Sequence, residues 1–90
     1  MIIRFAPKVI KSLVKIKAKN QKLFWLIDKQ IKLFQSNPKH PSLRVHKLSG
    51  KYSNLWSLSI TPDVRILYRT LENDVVYITA IGTHDQVYRK

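Results

Sequence analysis

The sequence predicts an α+β fold in which a hairpin of two helices packs on one face of a small, mainly antiparallel sheet. Apolar residues recur at helical spacing in the first part of the chain, whereas from residue 56 onward they alternate with polar residues as in strands. Turn-forming residues divide this second part into three segments, which should follow one another as a meander. A chain of 90 residues has the size of one domain, so we expect a single domain over residues 1–90 with the order β-α-α-β-β-β.

The first two elements are a strand and a helix that carries its charge on one side. Residues 2–5 read Ile-Ile-Arg-Phe, which favours a short strand, and Pro7 suits the first turn of a helix. At about 100° per residue, a helix from Lys8 onward separates an apolar arc from a stripe of lysines. The apolar arc is Val9, Ile10, Leu13, Val14 and Ile16, and the stripe is Lys8, Lys11, Lys15 and Lys19.

A second helix and three strands should complete the domain. Asn20 is expected to end the first helix, and the second should run from about Lys22 to Gln35 before Ser36-Asn37-Pro38 ends it. Residues 37–54 read as an extended connection, and the N-terminal strand is expected to join the same sheet as the meander. The other strands are expected at residues 56–60, 64–69 and 75–81, with turns at 61–63 and 72–74 and a polar tail after Gly82.

The strand pattern assigns side chains to the two faces of the sheet. The polar face should carry Ser57 and Ser59 together with the guanidinium groups of Arg65 and Arg69, which suit the binding of a phosphate. An ordinary solvated sheet face accounts for these residues equally well. The aromatic residues expected on the core side are Trp56, Tyr68 and Tyr77.

Positive charge is concentrated in the first two thirds of the chain. The 17 Lys and Arg residues outnumber the 5 Asp and Glu residues, which gives a net charge of +12. Residues 1–60 contain thirteen of the cations and one acid, Asp28, whereas residues 61–90 contain four of each. Such a distribution favours a polyanionic partner, namely nucleic acid, an acidic membrane surface or an acidic protein. Alternatively, the lysines only keep the domain soluble. A small domain needs a net charge of roughly 2–8 for solubility, and +12 exceeds this range.

Composition excludes several classes of site. Without cysteine, the chain has neither a disulfide scaffold nor a thiolate metal site. The two glycines, Gly50 and Gly82, cannot build a phosphate-binding loop, and the zinc, dinucleotide and hydrolase motifs are absent, so no metal or cofactor is expected. The apolar runs are too short for a transmembrane helix, and the N-terminus lacks the pattern of a signal peptide. We expect a cytoplasmic protein, with no membrane among its partners.

Two histidines are candidates for proton transfer. His84 follows Gly82-Thr83 directly after the last strand, and strand ends are common places for functional residues. His46 lies in the connection ahead of the meander. Imidazole titrates at about pH 6.5 and can therefore give or take a proton at neutral pH. A surface histidine is more often inert, and for His40 this is the preferred interpretation.

The C-terminal half carries motifs that are specific in combination. They lie in residues 46–69, HKLSGKYSNLWSLSITPDVRILYR, and residues 75–88, VVYITAIGTHDQVY. These segments resemble the RelE/ParE toxin superfamily, and most closely the RelE/YafQ type of type II toxin–antitoxin modules. Members of that family are small ribonucleases that cleave mRNA in the ribosomal A site without a metal. The resemblance therefore implies a RelE-like fold and a toxin that arrests translation.

The resemblance also implies roles for single residues in an in-line attack by the 2′-hydroxyl of RNA on the adjacent phosphate. His84 takes the position of the general acid that protonates the leaving 5′-oxygen, and Arg65 that of the arginine that binds the phosphate. His46 and Asp63 match the loop histidine and the turn aspartate of the YafQ branch, and either could be the base. Tyr88 matches the aromatic residue that stacks on or orients the RNA.

The resemblance further implies a cognate antitoxin, together with the ribosome and mRNA, as partners. Two positions depart from the YafQ pattern, because Ser59 stands where that branch has a second histidine and Ala80 where it has an arginine. Two other interpretations stay open: a ParE-like inhibitor of DNA gyrase on the same fold, and a degenerate toxin that only binds its antitoxin. The residues expected to bind RNA or the ribosome are Lys8, Lys11, Lys15, Lys19, Lys47, Lys51 and Arg69.

Overall fold

The computed structural model describes residues 1–88. Its strands are β1 (Ile2–Phe5), β2 (His46–Lys47), β3 (Trp56–Ser59), β4 (Val64–Leu71) and β5 (Val75–Thr83), and its helices are α1 (Pro7–Lys19), α2 (Gln21–Ser36) and α3 (His84–Tyr88). The five strands form one sheet in the order β1-β5-β4-β3-β2, with β1 parallel to β5 and the other neighbours antiparallel. The predicted α+β class, the β-α-α start and the antiparallel meander are confirmed.

Asn20 alone separates the two long helices, as the sequence predicts. Its backbone N–H donates to the carbonyl oxygen of Ile16 and so closes α1, while its side-chain oxygen accepts from the backbone N–H of Leu23 at 3.1 Å and caps α2. Pro7 occupies the first turn of α1, where a missing N–H costs no hydrogen bond. No helix among residues 1–88 is long and apolar enough to cross a membrane.

The main core lies between α1, α2 and one face of the sheet. The rings of Phe34 from α2 and Tyr68 from β4 have centroids 5.1 Å apart, and burial raises the pKa of Tyr68 to about 12. Burying one such apolar side chain contributes about 1.5–3 kcal/mol. The other buried residues of this core are Ala6, Val9, Ile27, Leu43, Leu58, Ile60, Ile66, Val76 and Ile78.

Part of the apolar arc predicted for α1 is not in the core. Val9 is buried, and Leu13 and Ile16 are half-buried against the sheet, but Ile10 and Val14 are 50% and 65% exposed. The helix rests on the sheet along a narrow stripe, so apolar residues at the edge of a wide arc remain in contact with solvent.

Tyr77, predicted to be a core residue, packs at the edge of the core and is not fully buried. It pairs with Arg69 on β4 and with Arg4 on β1, in a row that faces away from α1 and α2. The guanidinium carbon of Arg69 lies 5.5 Å from the centre of its ring, and Tyr77 is only half-buried. The run Val75–Ile78 is apolar at every position, so alternation could not decide which residues face the core.

A β-bulge at Thr79 changes the phase of β5. Tyr68 pairs with Ile78 but Leu67 pairs with Ala80, which leaves Thr79 as the extra residue. The Thr79 hydroxyl donates to the carbonyl oxygen of Leu67 at 3.3 Å. Beyond the bulge, even-numbered residues of β5 share the face of Leu67, which is opposite to the helical hairpin.

Four short elements were absent from the prediction. The connection 37–54, expected to be extended, contains β2 and two 3-10 turns, and the expected polar tail forms α3. α3 contacts β4 and β5, and Val87 of this helix is buried together with Leu67 and Ser57 of the outer sheet face. The outer face is therefore partly covered, rather than solvated along its whole length as the alternation suggested.

Candidate active site

The start of β4 and the end of β5 form an open depression at one end of the sheet, with a volume of about 400 Å³. Arg65 and Gly82 are register partners in this part of the ladder. Three of the residues predicted to be catalytic, Asp63, Arg65 and His84, therefore line the same depression. The complete lining is Pro62, Asp63, Arg65, Thr83, His84 and Asp85.

The position of His84 depends on a capping box at the start of α3. The Thr83 N–H donates to the side-chain oxygen of Gln86 at 2.8 Å, and the Gln86 N–H donates to the Thr83 hydroxyl at 3.4 Å. Gly82 permits this arrangement, since its φ is +153° and a Cβ there would lie 2.5 Å from the Gln86 side-chain oxygen. The spacing Thr-x-x-Gln is a sequence signal for the start of this helix.

His84 is the first residue of α3 and projects into solvent. Its side chain is 72% exposed, and its Nδ1 atom lies 3.7 Å from a carboxylate oxygen of the exposed Asp85. Its ring centroid lies 4.5 Å from that of Tyr88, one helical turn later. The imidazole is thus open to a substrate on one side and packed against an aromatic ring on the other.

Arg65 occupies the middle of a row formed by Ser59, Arg65 and Gly82 on three neighbouring strands. Gly82 has no side chain, so nothing on β5 stands beside the arginine in this row. Arg65 is half-buried and makes no ion pair with any carboxylate among residues 1–88. A guanidinium that has no acidic partner at the edge of a depression is suited to an anionic group.

Asp63 lies at the exposed rim, in the turn between β3 and β4. The Thr61 hydroxyl accepts from the backbone N–H groups of Asp63 at 3.2 Å and Val64 at 3.0 Å, and these bonds shape the turn. The hydroxyl of Ser59 donates to the carbonyl oxygen of Thr61 at 3.0 Å. Ser59 thus supports the turn that carries Asp63.

His46 lies outside the depression. On β2 it pairs with Ser57, which belongs to the row of Leu67 and Ala80 rather than that of Arg65. Strand spacing and rise place its Cα about 12 Å from that of Arg65. Its Nδ1 atom lies 3.2 Å from the carbonyl oxygen of Arg44. His40, the third histidine, accepts from the Ser42 N–H at 3.1 Å and caps a 3-10 turn, a structural role.

Tyr88, predicted to contact RNA, stands between two other aromatic side chains. Besides His84, its ring meets the edge of Tyr52 at a centroid distance of 5.5 Å. The Tyr52 hydroxyl donates to the backbone carbonyl of Tyr88 at 2.8 Å. Tyr52 was not among the predicted site residues, and no local pattern could identify it because it is 36 residues from Tyr88.

The residues predicted to bind RNA or the ribosome do not share one face. The lysine stripe of α1 is exposed on the helical side of the sheet, where Lys15 lines a groove that also includes Thr83 and Gln86. Lys47 and Lys51 lie near β2, with their Nζ atoms 6.0 Å and 5.2 Å from aromatic ring centres. The basic surface therefore consists of separate parts, of which the groove at Lys15 adjoins the depression at Thr83. The exposed members are Lys8, Lys11, Lys15, Lys19, Lys47, Lys51 and Arg69.

Comparisons with solved structures found the same fold in bacterial toxins. The YoeB/ParE toxin from Agrobacterium tumefaciens superposes with a TM-score of 0.80 at 16% identity, over 93% of this chain and 99% of that one. YafQ from E. coli strain BL21(DE3) gives 0.75 at 18% identity over 96% of each chain. The toxin of the E. coli DinJ–YafQ complex gives 0.75 at 15% identity over 96% of each chain. A comparison with curated protein sequences found no match.

A family comparison gives the more specific result. The family that matches is described as bacterial toxin of type II toxin–antitoxin system, YafQ, and the match covers residues 1–89. The match includes both long helices as well as the depression that Asp63, Arg65 and His84 line. The chain therefore belongs to the YafQ family of bacterial toxins of type II toxin–antitoxin systems.

Proposed function

We propose that this toxin is an endoribonuclease that cleaves mRNA on the ribosome and thereby arrests translation. The observation that carries the proposal is the juxtaposition of Arg65 and His84 at one depression, which joins an arginine free of ion pairs among residues 1–88 to an exposed imidazole. One group suits a phosphate, and the other can move a proton near neutral pH. Membership of the YafQ family supports this reading.

In the proposed reaction, the 2′-oxygen of the RNA attacks the adjacent phosphorus atom and the bond to the 5′-oxygen breaks. The products are a 2′,3′-cyclic phosphate and a 5′-hydroxyl. The imidazolium of His84 gives its proton to the 5′-oxygen as that bond breaks. The guanidinium of Arg65 stabilises the charge that develops on the non-bridging oxygens.

The proton of the 2′-hydroxyl needs a base, and the geometry supports Asp63 more than His46. Asp63 lines the same depression as His84, whereas His46 is on the second strand away from Arg65 and outside the lining. A base must come within hydrogen-bond reach of the proton that it removes. We propose Asp63 as the base and a role in RNA contact for His46.

We also propose a cognate antitoxin that binds the basic surface. Solved structures similar to this chain include complexes of YafQ with DinJ and of YoeB with YefM, and the latter pair forms a heterotetramer in Staphylococcus aureus. The excess of positive charge here favours an acidic protein as much as it favours RNA. Ribosomal RNA and the antitoxin would then compete for the same lysines.

The test compares growth and mRNA cleavage on translating ribosomes for the wild type, His84→Ala and Arg65→Ala. We expect each substitution to reduce cleavage at least about a hundredfold and to relieve growth arrest. Matched controls are His40→Asn, which keeps the cap of the 3-10 turn, and Arg4→Gln on the distant edge strand. Full toxicity of the doubly substituted protein would refute the proposal.

The same experiment separates the other two interpretations. A ParE-like gyrase inhibitor is not favoured, since the family match is to YafQ, and it would inhibit supercoiling without cleaving mRNA. A degenerate toxin would neither cleave mRNA nor slow growth, although it would still bind its antitoxin.

A further inference from the structure

We propose that Tyr52 is a positioning residue that holds the imidazole of His84 in the orientation needed for proton transfer. The inference rests on the proposed nuclease function, and it extends the site to a residue far from the depression in sequence. Tyr52 acts through Tyr88: it anchors the backbone and the ring of that residue, and the ring in turn contacts His84.

The first step is that Tyr52 itself is fixed. It ends the 3-10 turn Gly50–Tyr52, and its carbonyl oxygen accepts from the Leu55 N–H at 2.9 Å. The turn follows β2, and Leu48 and Leu55 hydrogen-bond across its base at 3.0 Å. The Tyr52 side chain is half-buried, so the surrounding residues restrict the position of its hydroxyl.

The second step is that α3 needs external support. A helix of five residues is far below the length at which helices are stable alone, and its last carbonyl groups have no partner within the helix. The capping box of Thr83 and Gln86 secures its first turn. The hydrogen bond from Tyr52 to the Tyr88 carbonyl, at 2.8 Å, secures its end.

The third step links this anchor to the imidazole. The His84 side chain is 72% exposed, its Nδ1 atom lies 3.7 Å from a carboxylate oxygen of Asp85, and its ring pairs with that of Tyr88. The rings of His84 and Tyr88 are 4.5 Å apart, so the position of Tyr88 limits the rotamers that His84 can adopt. A small error in the placement of a general acid lowers the rate of the chemical step without a comparable loss of binding.

The test removes only the Tyr52 hydroxyl, with Tyr52→Phe, and measures single-turnover cleavage of a ribosome-bound synthetic mRNA. We expect the rate to fall roughly three- to tenfold, the size of one lost hydrogen bond, with unchanged affinity for the ribosome. Tyr77→Phe, which removes the hydroxyl of a half-buried tyrosine on β5, is the matched control and should cleave at the wild-type rate.

A second substrate distinguishes positioning of the acid from a general effect on the fold. It carries sulfur in place of the 5′-oxygen at the cleavage site, and a thiolate leaves without being protonated. On this mRNA we expect Tyr52→Phe and His84→Ala both to cleave near the wild-type rate, while Arg65→Ala stays impaired. In the His84→Ala background, Tyr52→Phe should have no further effect on the ordinary substrate.

A wild-type rate for Tyr52→Phe on the ordinary substrate would overturn this inference alone, and so would an equal loss on the sulfur substrate. A wild-type rate for His84→Ala on the ordinary substrate would overturn the proposed function and this inference with it. Tyr52→Leu, which also removes the ring, should exceed the loss of Tyr52→Phe, and thermal unfolding of each variant verifies that the fold is intact.

Discussion

Arg65 lies directly across from Gly82 in the ladder between β4 and β5, and the bulge at Thr79 is what places Gly82 there. Without the extra residue, the phase of β5 would be reversed and an odd-numbered side chain would stand beside the guanidinium. Because of the bulge, the part of β5 after Thr79 forms one side of the depression, although the earlier residues of the strand pack in the core. The bulge also determines the direction in which the chain enters α3.

Gly82→Ala should disrupt the site more than the fold. The added Cβ would meet the Gln86 side chain at 2.5 Å, and a φ of +153° is rarely adopted by other residues. We expect a loss of about 1–3 kcal/mol in the free energy of unfolding and a larger relative loss of mRNA cleavage. Gly50→Ala is the control, because it has a positive φ of +65° but nothing within 4 Å of the new Cβ. Equal losses of cleavage in the two variants would contradict the special role of Gly82.

Thr79→Val should weaken the bulge without changing the volume of the side chain. It removes the hydroxyl that donates to the Leu67 carbonyl, and we expect the free energy of unfolding to fall by about 0.5–1.5 kcal/mol in urea titrations. Thr70→Val, at an exposed position of β4, is the matched control and should change stability by less than about 0.5 kcal/mol. The prediction is wrong if both variants unfold at the same urea concentration.

The burial of Tyr68 predicts a loss of stability at alkaline pH. Its pKa is about 12 in the folded protein against 10.0 when exposed, so between these values the folded chain keeps a proton that the unfolded chain has lost. The contribution is therefore complete below pH 10 and declines as the pH rises towards 12. Urea midpoints between pH 9 and 11.5 should fall more steeply for the wild type than for Tyr68→Phe. Parallel curves for the two proteins would show that Tyr68 is not responsible.

Asp63→Asn and His46→Gln test which residue is the base. Asn keeps the size of the turn residue and Gln can still donate to the Arg44 carbonyl, so both proteins should fold normally. We expect Asp63→Asn to lower single-turnover cleavage about a hundredfold or more, and His46→Gln less than about tenfold. The reverse order would assign the base to His46 and would require the connection around β2 to move towards the depression.

The sequence was sufficient to predict the order of the long elements, because each of them has a clear period and a clear end. Pro7, Asn20 and the residues around Pro38 delimit both long helices, and these limits agree with the structure to within one or two residues. β2 could not be predicted, since two residues carry no period and the strand exists only by pairing with β3. The face of Tyr77 was ambiguous for a related reason, namely that its neighbours are apolar on both sides.

Pattern alone singled out Arg65 on the polar sheet face and His84 after the last strand, whereas the roles expected of them followed from the resemblance. The structure brings these two residues to one depression. The contact between Tyr52 and Tyr88 joins segments 36 residues apart and depends on the path of the connection, which no periodicity describes. α3 could have been predicted from the sequence, because Thr83 and Gln86 have the spacing of a capping box.

The placement of His84 beyond the last strand has a consequence for how toxicity can be lost. The five-stranded sheet and both long helices are complete by Thr83, so the proposed acid belongs to a segment that the rest of the fold does not need for its topology. A bacterium that escapes growth arrest could do so through changes in a few codons after Thr83, without unfolding the protein. Such alleles would leave α1, α2 and their lysines in place, so they would keep the surface proposed to bind the antitoxin while no longer arresting growth.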